Sequence, residues 1–540
     1  MANKSVFTSA RPGVTPPAAD TTNRAGGAAY AMSPKAALAQ YAATGTFNDT
    51  FYSTAEAQVS EVLALLAKID DVAYIGKVAL YTRDQGRMKD MPALICAYLT
   101  MRGQEGMDVF RQIFPAVIDN GKMLRNFFQI IRSGVVGRKS FGTAPKKAMA
   151  KWFADKAPED IFRMSVGNNP SMKDVMSLIR PSSQDSPERL ALYKYIMGHN
   201  NYDADSLPPL VKEYELLKKN PESAKNLPKV PLEMLLGLKL SEKGWKMLAT
   251  QMSWNQIRMN LNTLSRNGVF KDDAVTKAVA TKLSDALQVE KTRPLPYQLF
   301  TAYLNTATSG AEAIPVSIRN ALHDALDLAI KSVPIYEGKT YIAVDTSGSM
   351  GSPVTGTRTG ATTVMACVDV ASLIACTFFK KNRESEIFPF DTRIHLNHGL
   401  DGNDSIMTNA DKLRKFGGGG TDCGLVLAHL NKTKAKGDLV IYVSDNESWF
   451  DSGRPRWGQS TSMAAEWATY KARNPNAKLV CIDLAQAPTA QVRTDKSVLN
   501  IGGFSDSIWE VISKFIGGTP SADHWVDTIN SIVLPPAAKS

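Results

Sequence analysis

The stretch YIAVDTSGSMG, residues 341–351, joins an apolar run to a cluster of oxygen-bearing side chains. Residues 339–345 (KTYIAVD) have the composition of a buried strand, and this run ends in Asp345. Ser347 and Ser349 follow at alternate positions. In open α/β sheets, ligands bind at the carboxyl ends of the strands. The stretch therefore predicts a ligand site at the end of a parallel strand.

The residues after this stretch alternate between strand and helix patterns. Further strands are predicted at 385–391, 438–445 and 478–485, and helices within 361–381 and near 422–432, 461–473 and 506–516. Because such alternation over about 200 residues produces a parallel sheet covered by helices, we predict a doubly wound, Rossmann-like α/β domain spanning residues 336–540.

The residues before this domain predict helices alone. Val59, Val62 and Leu66 follow a helical period, and a second such stripe runs from Ile318 to Ile330. We find no fixed-period repeat, but an all-α domain of this length, residues 25–335, indicates stacked helix pairs. Residues 1–24 are rich in small residues, Pro and Gly and are predicted to be a flexible arm.

Two later motifs extend the predicted ligand site. Thr421 follows four glycines in FGGGGTDCG (416–424), and Asp445 ends a strand in IYVSDNES. With Asp345, Ser347 and Ser349, they supply two carboxylates and three hydroxyls, which suit Mg²⁺ or another hard cation such as Mn²⁺. Helix capping is the structural alternative for these side chains. A phosphate-binding P-loop is excluded because no Lys follows the glycines.

This donor set resembles the metal-ion-dependent adhesion site of von Willebrand factor A domains. The family motif DxSxS, then Thr, then Asp is matched by Asp345, Ser347, Ser349, Thr421 and Asp445. The resemblance implies an A domain that holds a divalent cation and leaves room for an external ligand.

Charge is distributed unevenly along the chain. The net charge of +11 lies entirely in residues 1–339, which carry 43 Lys and Arg against 32 Asp and Glu. This asymmetry suggests that the first domain faces a polyanion. The interval between Asp119 and Asp155 contains no acidic residue. Its eight bases are Lys122, Arg125, Arg132, Arg138, Lys139, Lys146, Lys147 and Lys151.

These bases are our candidate phosphate contacts for nucleic acid. The interleaved aromatic residues of the same interval are assigned to the core rather than to base stacking. A second candidate cluster, Arg83, Arg87 and Lys89, is balanced by Asp84 and Asp90.

Over most of its length the chain resembles the Ro ribonucleoproteins of the TROVE family in their bacterial form. The resemblance rests on ALYTRDQGRMKDMPALICAYL (79–99), GRKSFGTAPKKAMAKWF (137–153), WKMLATQMSWNQIRMNLNTL (245–264) and the A-domain motifs. It implies a ring of HEAT-like helical repeats closed by the A domain. It also implies that Y RNA binds the outer surface, that single-stranded ends of misfolded RNA enter the central hole, and that Y RNA tethers polynucleotide phosphorylase. The chain departs from the family in MSLIRP (176–181), which lacks the usual His before Pro, although Arg180 remains a candidate phosphate contact.

The leading functional hypothesis is a non-catalytic RNA-binding protein that acts in RNA quality control or degradation. The alternative is an adhesion or scaffold protein that binds a protein carboxylate at the A-domain metal. A nuclease ranks third, because the acid-free interval lacks carboxylates for a pair of catalytic metals. The five scattered cysteines favour a reducing, cytoplasmic location. Neither a signal peptide nor a membrane association is predicted.

Overall fold

The computed structural model describes residues 16–45, 47–183, 186–308, 314–357, 365–449, 460–485, 487–503, 507–518 and 523–536. The chain forms two compact units. The first, here called the sheet unit, comprises residues 1–69 and 332–531. The second, the helical unit, comprises residues 70–331 and 532–540. The predicted combination of an all-α part and a parallel α/β part is confirmed.

The sheet unit begins with elements from the N-terminus of the chain. These are β1 (Thr21–Thr22), β2 (Ala28–Ala31), α1 (Pro34–Thr44) and α2 (Ala55–Ala67). Strands β1 and β2 are antiparallel. Helix α1 starts where the Ser33 side chain accepts the Ala36 amide and a proline occupies the first helical position, which requires no amide donor.

The helical unit contains sixteen helices in its described part. They are α3 (Val72–Asp84), α4 (Asp90–Leu99), α5 (Gly103–Val117), α6 (Gly121–Ser133), α7 (Thr143–Ala154), α8 (Pro158–Met164), α9 (Met172–Ile179), α10 (Pro187–Met197), α11 (Pro209–Lys219), α12 (Leu232–Leu236), α13 (Glu242–Gln251), α14 (Trp254–Arg266), α15 (Asp273–Leu283), α16 (Ala286–Thr292), α17 (Pro296–Thr308) and α18 (Val316–Ala329).

Helix α6 illustrates how local sequence sets these elements. The Asn120 side chain caps its first turn by accepting the Met123 amide, and Gly134 ends it in the left-handed region at φ 82°. Its apolar face, which includes Leu124 and Phe127, is fully buried. The opposite face therefore presents Lys122 and Arg132 to solvent.

The rest of the sheet unit is a parallel sheet with helices. Its strands are β3 (Thr340–Asp345), β4 (Ser385–Phe390), β5 (Leu439–Ser444), β6 (Lys478–Asp483) and β8 (Val498–Gly502), and β7 (Thr489–Ala490) pairs with β2 instead. Its helices are α19 (Cys367–Lys381), α20 (Ile406–Leu413), α21 (Leu425–Lys432), α22 (Ser462–Arg473), α23 (Ser507–Ile516) and α24 (His524–Asn530). The spatial order of the main sheet is β4-β3-β5-β6-β8. Strand order therefore reverses between β3 and β5, where a ligand crevice is expected.

The compact units do not follow the predicted domain boundaries. Residues 25–69 were assigned to the helical domain, yet α1 packs against β8 and α24 of the sheet unit. Residues 16–24, predicted as part of a flexible arm, include β1 and the buried Asn23. Residues 1–15 lie outside the described residues. The N-terminal residues belong to the sheet unit because β2 pairs with β7, a strand that lies far along the chain.

Several elements of the sheet unit were not predicted, among them β8 and α20. Every residue of β8 is buried, but its five residues include the polar Asn500, whose amide is satisfied by the carbonyl of Val492. The predicted helix within 361–381 begins at Cys367, and residues 361–364 lie outside the described part. Among the helices that the structure describes, none has the length and apolar character needed to cross a bilayer.

Candidate metal centre and nucleic-acid interface

The five predicted metal ligands converge at the carboxyl ends of β3 and β5. Asp345 is the last residue of β3, and Asp445 directly follows β5. Ser347 and Ser349 lie in the loop after β3, and Thr421 lies in the loop before α21. All five are at least 93% buried. Parallel pairing places Val344 level with Val443, which brings the two carboxylates to the same edge of the sheet.

Hydrogen bonds organise this donor set. One oxygen of Asp345 accepts the amide of Ser347 at 2.8 Å, and the other accepts the hydroxyl of Ser444 at 2.6 Å. The Ser347 and Ser349 hydroxyl oxygens lie 3.3 Å apart. One oxygen of Asp445 accepts the amide of Glu447 at 3.4 Å. Ser444 was not among the predicted residues, and it fixes the orientation of Asp345.

The glycine run holds the Thr421 loop against the loop after β3. The amide of Gly348 donates to Gly419, and the amide of Gly418 donates to Thr346. Gly417 has φ 110°, and a Cβ at this position would lie 1.6 Å from the Thr346 carbonyl oxygen. Only glycine allows this close approach, so the run serves to bring Thr421 beside the two serines.

The electrostatics of the site favour a bound cation. Burial, and next the charge of Asp445, raises the pKa of Asp345 to about 7. Burial likewise raises the pKa of Asp445. Two adjacent buried carboxylates raise the free energy of the folded protein unless a proton or a cation neutralises their charge. The Thr421 hydroxyl is buried and has no hydrogen-bond partner in the described chain.

These residues could hold a hard cation through five oxygen donors. In the described part of the chain, no group of three or more His, Cys, Asp or Glu side chains is arranged to bind a metal. A site here would therefore depend on hydroxyl ligands as much as on carboxylates. Gly348, Ser349 and Thr421 line an open pocket of about 600 Å³.

Residues from the N-terminus complete this pocket, and the sequence carried no signal for them. Phe51 and Tyr52 line it together with Trp449 and Ser349. Glu447 accepts the Ala25 amide at 3.1 Å. Burial raises the pKa of Glu447 to about 7, against the opposing effect of this hydrogen bond.

The predicted bases of the acid-free interval fall into two groups. Arg125 donates to the carbonyl of Met164, and Arg138 donates to the carbonyls of Ser140 and Thr100. These two side chains are therefore engaged in hydrogen bonds to the backbone of the protein. The other six are exposed, and Lys151 forms an ion pair with Asp155 at 2.8 Å. The aromatic residues of the interval are buried, as predicted for core residues.

Three predicted bases from separate elements share one groove. Arg132 of α6, Lys146 of α7 and Arg180 after α9 line an open groove of about 1130 Å³. All three are exposed, and their side chains make no hydrogen bond or ion pair within the described residues. The Arg132 guanidinium lies 5.9 Å from the centroid of the Phe128 ring, which supports its position on α6. Asp174 is the acidic residue of this groove, and it is engaged in capping α9.

The second predicted cluster is more strongly tied to the protein. Arg83 makes two hydrogen bonds to Asp119, and Arg87 donates to the carbonyl of Thr292. The Lys89 residue as a whole is exposed. Partial burial of its ammonium group, and next the charges of Lys122 and Arg83, lower its pKa. Lys89 therefore forms a small positive surface with Lys122 at the start of α6. The side chains of Arg83 and Arg87 mainly make contacts within the protein.

Comparison with known proteins identifies the sheet unit. A sequence model described as the Ro60 von Willebrand A domain matches residues 339–516. These residues are similar to a Ro60-type von Willebrand A domain. The described fold as a whole is similar to the crystal structure of the Ro (RSR) protein of Deinococcus radiodurans, with a TM-score of 0.63 and 19% sequence identity. This match covers 90% of the present chain and 100% of the other. The predicted resemblance to Ro proteins is confirmed, in sequence for the A domain and in fold for most of the chain.

Proposed function

We propose that this protein binds RNA through the helical unit and does not itself cleave it. The supporting observation is the placement of charge. The helical unit carries 38 Lys and Arg against 27 Asp and Glu, and three of these bases line the groove of Arg132, Lys146 and Arg180. Lys and Arg contacts to phosphates supply most non-specific affinity for nucleic acids. This groove is our candidate for contacts to a small structured, Y-like RNA.

A second RNA class in this proposal is the single-stranded end of misfolded non-coding RNA. The Ro60-type A domain and the Ro-like fold support this assignment. The process would be RNA quality control or degradation, with polynucleotide phosphorylase as a partner recruited through the structured RNA. All five cysteines are free and buried, which favours the reducing cytosol as the compartment.

We also propose that Asp345, Ser347, Ser349, Thr421 and Asp445 hold Mg²⁺ or Mn²⁺. The cation would neutralise two buried carboxylates and accept the unpartnered Thr421 oxygen. In this role Ser444 orients Asp345, and the glycine run positions Thr421. The site is proposed as a binding site without hydrolytic function.

A second candidate function concerns the open side of this site. Phe51 and Trp449 border the pocket with exposed fractions of 63% and 50%. An external ligand with an anionic oxygen could reach the cation between these rings. The carboxylate of a protein partner is the candidate ligand, and the A domain would then serve as a scaffold.

Measurement of the salt dependence of RNA binding tests the principal function. The variant Arg132→Ala/Lys146→Ala/Arg180→Ala removes three exposed bases from the groove. The matched control, Lys432→Ala/Lys434→Ala/Lys436→Ala, removes three exposed bases from the sheet unit. Binding of a labelled RNA hairpin with a single-stranded tail would be measured by fluorescence anisotropy across a salt series.

We expect the groove variant to bind RNA at least tenfold more weakly. Its log–log salt slope should be shallower by about 2, because each lost contact on a single strand removes about 0.7. The control should retain the affinity and the slope of the wild type. A folded groove variant with wild-type values, or an equal loss in the control, would contradict the assignment.

A further inference from the structure

The N-terminal segment, defined here as residues 20–54, contacts the loop that carries the two serine ligands. The Asn48 side-chain amide donates to the Thr355 carbonyl at 2.7 Å. Asp49 and Thr357 form an isolated antiparallel bridge, with backbone hydrogen bonds of 3.2 and 2.7 Å. These contacts join residues about 300 positions apart, and all of them lie within the sheet unit.

The same segment also contacts the loop that follows Asp445. The Asn23 side chain donates to the Ser448 carbonyl at 2.7 Å and accepts the Gly27 amide at 2.7 Å. The Ala25 amide donates to Glu447. Gly27 packs so closely that an added Cβ would lie 2.0 Å from the Ser448 oxygen. The segment is therefore hydrogen-bonded to two of the three loops that carry proposed metal ligands.

Tyr52 makes the most direct of these contacts. It lines the same pocket as Ser349, which places its hydroxyl beside the serine ligand. A serine hydroxyl has one proton and two lone pairs. A Tyr52 hydroxyl that donates to Ser349 would occupy one lone pair and leave the other for a cation. The Ser347 and Ser349 oxygens lie 3.3 Å apart, so one cation could contact both.

We propose that Tyr52 is a positioning residue of the metal site, and that the cation and the docked N-terminal segment stabilise each other. The inference rests on the proposed metal site and adds a residue outside its sequence motif. Tyr52 orients the Ser349 oxygen toward the cation. The cation, by holding the two loops in place, favours the bonds that those loops make to Asn23, Ala25 and Asp49. Coupling of this kind acts equally in both directions.

Metal affinity of the full-length chain tests the first half of the proposal. The variant Tyr52→Phe removes only the hydroxyl. The control Tyr341→Phe removes another tyrosine hydroxyl of the sheet unit, one that donates to Lys436 at the opposite end of β3. We expect Tyr52→Phe to weaken Mn²⁺ and Mg²⁺ binding about threefold to tenfold in titration calorimetry, the range of one net hydrogen bond. Tyr341→Phe should retain the affinity of the wild type.

Hydrogen exchange tests the second half. Mg²⁺ should slow amide exchange in peptides that cover residues 20–31 and 47–54 of the wild type, and less so in Tyr52→Phe. The variant Asn23→Ala, which loosens the segment without touching a proposed ligand, should also weaken Mg²⁺ binding. A wild type that binds Mg²⁺ without such protection, or a Tyr52→Phe variant with unchanged metal affinity, would overturn the proposal.

The metal site itself has a separate control. If the wild type binds no more Mg²⁺ or Mn²⁺ than Asp345→Ala, the metal site fails, and the role of Tyr52 fails with it. If the wild type binds the cation and Asp345→Ala does not, the metal site stands. The result for Tyr52→Phe then decides the present inference alone.

Discussion

The helical unit carries 38 Lys and Arg side chains against 27 Asp and Glu, whereas the sheet unit carries 25 of each. The two units also differ in where they place these charges. The sheet unit buries Asp345, Asp445, Glu447 and Asp483 near the carboxyl ends of its strands. The helical unit instead exposes bases on the polar faces of its helices, as in α6 and α7.

This difference separates two kinds of ligand by elementary electrostatics. A cluster of buried carboxylates is stabilised by a small cation that fits within it. An exposed set of Lys and Arg, spread over a groove whose acidic residue Asp174 caps a helix, attracts an extended polyanion. This contrast supports our proposal that the sheet unit binds a metal ion and the helical unit binds RNA.

Removal of the central carboxylate gives the largest effect that we expect. Asp345→Ala should abolish the stabilisation of the folded chain by Mg²⁺, which amounts to about 2.7 kcal/mol at a concentration of 100 Kd. Its RNA affinity should stay at the wild-type value, because the bases of the groove belong to the other unit. Thermal unfolding with and without Mg²⁺ and RNA anisotropy would be measured on the same preparation. A folded variant that loses RNA binding would contradict the assignment of the metal and the RNA to different units.

A pair of arginines on one helix sharpens the comparison at a smaller scale. Arg125 and Arg132 both belong to α6, but only Arg125 donates to a protein carbonyl. Arg125→Met should lower the free energy of unfolding by about 1 kcal/mol and leave the RNA salt slope unchanged. Arg132→Met should leave stability unchanged and make the slope shallower by about 0.7. The reverse pattern, measured by denaturant titration and anisotropy, would contradict the division of these bases into structural and RNA-binding groups.

Much of the proposed metal site could be predicted because its parts follow from local sequence patterns. Asp345 and Asp445 each follow an apolar run, and the carboxyl ends of neighbouring parallel strands lie at the same edge of a sheet. Thr421 was singled out by the glycine run before it, and Gly417 of this run lies close to the Thr346 carbonyl. Burial of the aromatic residues between Asp119 and Asp155 likewise agrees with their assignment to the core.

The remaining features depend on contacts that no local pattern encodes. Tyr52 and Asn23 meet residues about 300 and 425 positions away, so neither spacing nor composition could assign them to the A domain. The predicted boundary at residue 25 was wrong for the same reason. Similarly, the sequence of α6 does not reveal that the Met164 carbonyl lies within reach of Arg125 but not of Arg132.

The central claim is that RNA contacts the helical unit and not the sheet unit. It is tested most directly by photocrosslinking the full-length chain to RNA that contains 4-thiouridine, followed by mass spectrometry of the crosslinked peptides. We predict that the crosslinks concentrate within residues 70–331, with peptides containing Arg132, Lys146 and Arg180 among the most frequent. Crosslinks that concentrate instead within residues 332–531 would contradict the account.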